Sequence, residues 1–240
     1  MRAVECERLI FDGADLASTN GALLKKAECY KQLGRYADAS STLERVRMFA
    51  LTDEERTEVL YQQELCHFLN GEFGQAAVIA DNLEPSRQDI MLLHALVLAY
   101  SGRYDESEII AARCISWNGP SPYLDELLAL YRQHPAERNA GASLALSFLP
   151  PVGHFYNEAY GEGLLSGGLN AAAVAFMVAN LAGGYWITGL LGGAIALNYT
   201  YMGNIERCQE LTQIHNNNAP ILFGDRVREF LARALEEPQK

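Results

Sequence analysis

His154, Tyr156 and Glu158 lie two residues apart, and a histidine beside a carboxylate could move protons or hold a metal. A metal would need a second and third ligand, and none stands nearby in sequence, so an imidazole bonded to a loop carbonyl is the plainer account. Asn170, Asn180 and Asn198 punctuate an otherwise apolar stretch. There they could hydrogen-bond between helices or line a transport path, although a path usually wants ionisable residues. Five cysteines (Cys6, Cys29, Cys66, Cys114, Cys208) are scattered without C-x-x-C spacing, which argues against a zinc site or a disulfide framework. Cys29, Cys66 and Cys114 fall at apolar helical positions and read as small buried hydrophobes. The chain has no H-E-x-x-H, G-x-S-x-G, phosphate loop or G-x-G-x-x-G. No catalytic, cofactor-binding or metal-ligating residue is assigned, and the expectation is a protein that is not an enzyme and carries no cofactor.

The elements that must position these residues differ sharply along the chain. The 240 residues are 49% hydrophobic with a net charge of -11, which opposes binding to a phosphate backbone and so excludes nucleic acid as a partner. The acidic part is repetitive. "LLKKAECYKQLGRYADASSTLERV", "VLYQQELCHFLNGEFGQAAVIADNL" and "LLHALVLAYSGRYDESEIIAARCI" each read as helix, turn, helix. The turn pairs are Gly34 and Tyr36, Gly71 and Phe73, Gly102 and Tyr104, and three residues after each aromatic comes Ala39, Ala76 or Ser107. Glycine ends the first helix, the aromatic anchors the turn, and the small residue admits the second helix closely.

The turn glycines recur every 34 residues on average, and the region resembles the tetratricopeptide repeats. Tyr30, Ala27 and Ala95 match that family's first-helix positions, whereas Glu64 replaces the small residue and His67 the aromatic. The resemblance implies a helical-hairpin solenoid over residues 1–135 that receives a protein partner on its concave face. His67 and His94 fall at helical positions that line that face or the core. "VECERLIFDG" reads as a second helix without its first. Either the natural chain begins upstream of Met1, with a secretory signal, or Val4, Leu9, Ile10 and Phe11 pack as a capping helix. Leu124, Leu127, Leu128 and Tyr131 share one face of a closing helix that Pro135 ends.

From Gly163 to Ile205 there is no charged residue and no histidine. "GLLSGGLNAAAVAFMVANLAGG" and "YWITGLLGGAIALNYTYMG" are each long enough to cross a bilayer, with Gly183 and Gly184 reversing the chain between them. Tyr185, Trp186, Tyr199 and Tyr201 stand where interfaces favour amphipathic rings. Gly163, Gly167, Ala171 and Ala175 fall four apart, as do Gly189 and Gly193, a spacing that lets helices approach in lipid. The competing reading makes both segments the centre of a soluble bundle.

Just before them, "LPPVGHFYNEAYGEG" resembles the leucine-proline-glycine-x-glycine-glutamine-x-tyrosine motif of bacterial two-transmembrane-helix proteins. Pro150, Gly153, Phe155 and Tyr156 match it, while Pro151 replaces a glycine and His154 the glutamine. This resemblance implies an interfacial segment plus membrane hairpin over 141–205. Pro150 and Pro151 stop the segment, Gly153 turns it, and Tyr156 and Tyr160 sit at headgroup depth. Residues 206–240 are then an amphipathic helical tail, broken at Asn216–Asn218, whose Val227, Phe230, Leu231 and Leu235 stripe packs on the repeats or on the membrane surface.

Two spans put both ends on one side of a bacterial inner membrane. Arg132, Arg138 and Arg207 favour the cytoplasm, and a lost upstream signal would favour the periplasm. The expected fold is all-α, and the expected role is a non-enzymatic, membrane-anchored scaffold that binds protein partners, contacts lipid and pairs with a second copy through the hairpin. A transport or insertion component using Asn170, Asn180 and Asn198 is the alternative.

Overall fold

The computed structural model describes residues 2–11 and 16–236, and every regular element among them is helical. In order these are α1 (Arg2–Phe11), α2 (Leu16–Gln32), α3 (Tyr36–Leu43), α4 (Asp53–Leu69), α5 (Phe73–Ala80), α6 (Gln88–Tyr100), α7 (Tyr104–Ile115) and α8 (Leu124–Tyr131). They are followed by α9 (Ala140–Ser147), α10 (Val152–Tyr156), α11 (Tyr160–Ala182) and α12 (Gly193–Glu236). Two compact units divide the chain. One runs from α1 to His134 and takes back α12 from Pro220 onward; the other is Pro135–Ala219.

In the first unit the turns explain the pairing. Gly34, Gly71 and Gly102 have φ of 70°, 77° and 83°, the left-handed region that only glycine enters at no steric cost. Each closes its helix with the same two bonds. The glycine N–H donates to the carbonyl of Lys31, Phe68 or Ala99, and the next N–H donates to that of Tyr30, His67 or Leu98. The chain then re-enters a helix at Tyr36, Phe73 or Tyr104. Ala39, Ala76 and Ser107, one turn on, are fully buried, so α3, α5 and α7 lie close against α2, α4 and α6. Thr52 starts α4 with a reciprocal cap: its hydroxyl accepts from Glu55 N–H, and the Glu55 carboxylate accepts from Thr52 N–H at 2.8 Å.

α1 packs on α2, with an ion pair between Glu7 and Lys26. Cys6 is buried and Val4 exposed. The side chains of Leu9, Ile10 and Phe11, expected to cap the array, lie outside the described residues.

The expected break at Asn216–Asn218 is absent, because α12 continues through it with Pro220 inside the helix. From Pro220 onward α12 lies on the helices of the first unit. Phe223, Val227, Phe230, Leu231 and Ala234 complete a core with Ala95, Tyr100, Ile115, Leu127 and Tyr131, while Leu235 is partly exposed. The contact is close, since a Cβ at Gly224 would come within 2.4 Å of the Tyr100 ring. Tyr100 also donates its hydroxyl proton to Asp225 at 2.5 Å.

One buried acid faces a histidine inside this unit. Glu64 on α4 is 0% exposed, and His94 on α6 places Nε2 3.0 Å from its carboxylate, within ion-pair range but not aligned for a hydrogen bond. Burial pushes the Glu64 carboxyl above its usual range, and His94 offsets only part of that. The stability cost of ionising Glu64 is therefore absent below about pH 4.3, where the unfolded carboxyl is protonated, and grows as pH rises toward the folded value. Glu64→Gln, followed by thermal unfolding of the full chain, should gain stability relative to wild type between pH 4 and pH 7. His94→Ala removes the one group that offsets the burial of Glu64 and should destabilise the chain at pH 7, in contrast to Glu64→Gln. A pH-independent difference between wild type and Glu64→Gln would contradict this account.

Candidate functional site: a polar seam beneath an apolar helix

The second unit reverses the usual placement of polar and apolar groups. α9 begins at Asn139, whose side-chain oxygen accepts from Ala142 N–H at 2.9 Å. Its buried positions are Ser143 and Ser147, both 0% exposed, and the following Phe148 and Leu149 point outward. Pro150 and Pro151, joined by a cis peptide, follow the end of α9 and lead into α10.

Facing α9 and α10, α12 presents Asn204, Cys208, Thr212 and Asn216, four apart on one face. Asn204 donates to the Ser147 carbonyl at 2.5 Å. The Cys208 carbonyl accepts from Asn157 Nδ2 at 3.1 Å and from Ser143 Oγ at 3.3 Å. The Thr212 hydroxyl is 2.7 Å from Ser143 Oγ and 2.8 Å from Asn157 Oδ1. Asn216 clamps the backbone of Arg138, accepting from its N–H at 2.9 Å and donating to its carbonyl at 2.8 Å. That clamp gives Asn216 a task that a helix can supply, and the helix continues past it.

Gly153 and His154 occupy the centre of the seam. Gly153 is helical rather than the turning residue expected of it. A Cβ there would fall 2.6 Å from Ser147 Cα and 2.8 Å from Cys208 Sγ, so close approach is what requires glycine. The turn comes later, at Glu158, which adopts φ 58°. Glu158 N–H bonds to the Phe155 carbonyl and Ala159 N–H to that of His154, the same closure that the repeat glycines make. Arg138 ties this turn down through Nη1 to the Asn157 carbonyl and Nη2 to the Glu158 carboxylate. Tyr156 accepts from Asn139 N–H at 2.9 Å, and Phe155 packs beside Gly163.

His154 is 2% exposed, with Nδ1 3.3 Å from Cys208 Sγ. Burial pushes its imidazole below the ordinary histidine range, outweighing the nearby Glu162 carboxylate and a hydrogen bond with Asn204. Burial likewise pushes the Cys208 thiol up to about 11. Both shifts oppose a thiolate–imidazolium pair, so the contact is a neutral one suited to holding α10 on α12. The other histidines are dispersed. His67 bonds to Glu72 at 2.7 Å, His134 stacks on Tyr104, and His215 lies 3.4 Å from the Ala136 carbonyl. No three His, Cys, Asp or Glu side chains gather as a metal site among the described residues.

Above the seam, α11 is uncharged beyond Glu162 and largely bare: 6% of its most apolar 18 residues is buried. It is the one helix among the described residues that is long and apolar enough to cross a membrane. The second apolar segment turns back at Gly184, with φ 82°, passes through a π-helical stretch at Thr188–Gly192 and continues into α12. A Cβ at Gly193 would meet Met177 Cβ at 2.5 Å, and one at Gly189 would meet Leu181 at 3.0 Å, so both glycines sit against α11. On α11, Gly163 accommodates Phe155 and Gly167 faces Pro151, whereas Ala171 and Ala175 are exposed and Ala173 is buried instead. A row of every fourth residue drifts around a helix of 3.6 residues per turn, which carries the later alanines out of the contact.

The three asparagines are not equivalent. Asn170 accepts from Thr200 on the facing limb at 3.0 Å. Asn180 donates to the Phe176 carbonyl of its own helix, and Asn198 is exposed. The cross-limb role also falls to Ser166, whose hydroxyl donates to Asn204 at 2.8 Å. The chain matches no family model, no curated protein and no solved structure.

Because each seam group has several partners, its loss should be felt across the second unit. Asn157→Leu removes donors to two carbonyls and an acceptor for Thr212, and should cost about 2–3 kcal/mol. Gly153→Ala should be at least as damaging, because the clash is with backbone. Thermal unfolding of both full-length variants checks this, and a midpoint unchanged in both would show that the seam does not hold the unit together.

Proposed function

We propose that this chain is a membrane-anchored helical scaffold, without enzymatic activity, whose tetratricopeptide-like array binds a protein partner at a bacterial inner membrane. The observation that carries the reading is the exposure of α11. Leu164, Leu165, Leu169, Val174, Phe176 and Val178 are all at least 43% exposed on a helix with no charge after Glu162. A soluble core helix would have these covered. Twenty-three residues of helix reach about 34 Å, enough for a hydrocarbon core of about 30 Å. In this reading the limb from Trp186 returns the chain, and the exposed Tyr185 and Trp186 lie at the far interface. The polar seam then lies at the near one.

The partner surface in this reading is the row of first helices. Lys31 on α2 bonds to Gln62 on α4, Gln62 to Glu58, and Arg87, just before α6, to both Glu58 and Asp89. Arg87 also lies over the Tyr61 ring. This ladder of mixed sign suits a polar peptide or helix that exchanges one set of charge-assisted bonds for another. A photo-crosslinking residue placed at Gln62 in cells should trap one discrete partner, and Arg87→Glu should abolish the adduct. The same residue at Arg113, on α7, should trap none. Equal labelling from both positions, or an adduct indifferent to Arg87→Glu, would contradict the scaffold reading.

A further inference from the structure

Between α11 and α12, just above the seam, lies an open cleft of about 390 Å³, within the range of small-molecule sites. Its two ends differ in chemistry. One end carries Glu162 and Arg207; the other is lined by Leu169 and Tyr199, with Leu165 on the wall one turn from Glu162. The polar groups on the wall between them are self-satisfied, with Ser166 bonded to Asn204 and Thr200 to Asn170. The cleft thus has one charged end and one apolar end, about two helical turns apart. Any ligand that fills it is amphipathic.

The charged end selects the headgroup. Arg207 directs Nε and Nη2 at the Glu162 carboxylate, at 2.7 and 2.9 Å, and Nη1 at Glu210, at 2.7 Å. One cation is therefore shared by two carboxylates, Glu162 in the cleft lining and Glu210 one turn beyond Arg207, and this cluster is net negative. A purely anionic headgroup would meet a neutralised arginine flanked by acids. A headgroup bearing both signs fits better: an ammonium reaches the free lone pairs of Glu162 and Glu210, and a phosphate reaches the two guanidinium N–H groups still unused.

Resting on the membrane reading above, we propose that this cleft binds a zwitterionic amine phospholipid, with its ammonium and phosphate at Glu162, Arg207 and Glu210 and an acyl chain along Leu165, Leu169 and Tyr199. The site gives the hairpin a preferred lipid at its base rather than a uniform solvent. It also gives the Glu162–Arg207 pair a role that structural support of the seam does not need.

Gly203 offers a clean test. It lines the cleft, is helical, and a Cβ there would meet nothing within 4 Å. Gly203→Phe should therefore fold and fill the cleft, and Gly203→Ala should leave it open. The full-length protein is purified in mild detergent, offered equal phosphatidylethanolamine and phosphatidylglycerol, and weighed by native mass spectrometry. The wild type and Gly203→Ala should retain phosphatidylethanolamine at least tenfold over phosphatidylglycerol, and Gly203→Phe should lose most of it. Alkaline-washed membranes from the same cells are assayed in parallel. Wild type leaving the washed pellet would overturn the anchor and this site with it. Wild type staying in the pellet while binding both lipids equally, or Gly203→Phe retaining phosphatidylethanolamine like wild type, would overturn the cleft assignment alone.

Discussion

A right-handed helix can return antiparallel to itself only if the backbone briefly leaves the right-handed region, and among the described residues one geometry serves that purpose five times. Gly34, Gly71, Gly102 and Gly184 adopt positive φ, and the two following bonds back into the helix satisfy carbonyls that would otherwise be stranded. At Glu158 the same closure is made by a residue with a side chain, at about 1–2 kcal/mol. Its bond to Arg138 helps to hold that conformation, and the small buried residues one turn later turn each reversal into close packing. Both units are built from this device. They differ in what the paired helices then bury.

In the first unit the answer is ordinary: leucine, alanine and aromatic rings go inside, and acidic and basic side chains stay on the surface except at Glu64 and His94. In the second unit serine, asparagine, threonine and a neutral histidine go inside, and leucine, valine and phenylalanine face out. Buried polar groups are tolerable only when bonded, and here Asn157 and Thr212 each have several partners. Such an arrangement is costly in water, where the outward apolar surface has nothing to cover it. In lipid that surface is solvated, and the polar seam supplies the specificity that apolar packing does not. The proposed membrane setting accounts for both halves of the second unit at once, because it covers the apolar face of α11 and leaves the polar seam to specify the packing.

Much of the helical content was legible, because periodicity and turn glycines are local signals: α2 to α7 follow from the repeated pattern and α8 from its apolar face. The seam was less so. Asn204, Cys208, Thr212 and Asn216 recur every four residues, which marks a helix face, but Asn216 reads as part of a break rather than as a member of that row. Gly153 reads from sequence as a turning residue, because sequence does not separate a glycine needed for φ from one needed for space. Glu64 was visible as a departure where the other repeats carry Ala27 and Ala95, and its partner stands one residue before Ala95. A buried acid at a small-residue position calls for a base on the neighbouring first helix, and His94 is there. The continuity of α12 was hidden by Asn216–Asn218, because a run of asparagines reads as a break between helices.

The exposure of α11 bears on everything proposed for this chain, and extraction tests it most directly. Membranes from cells making the full chain are washed at alkaline pH and separated from the supernatant. The account predicts that the protein remains in the washed pellet and is released by detergent. Recovery in the supernatant as a folded monomer would contradict it, and would require another cover for the apolar face of Tyr160–Ala182.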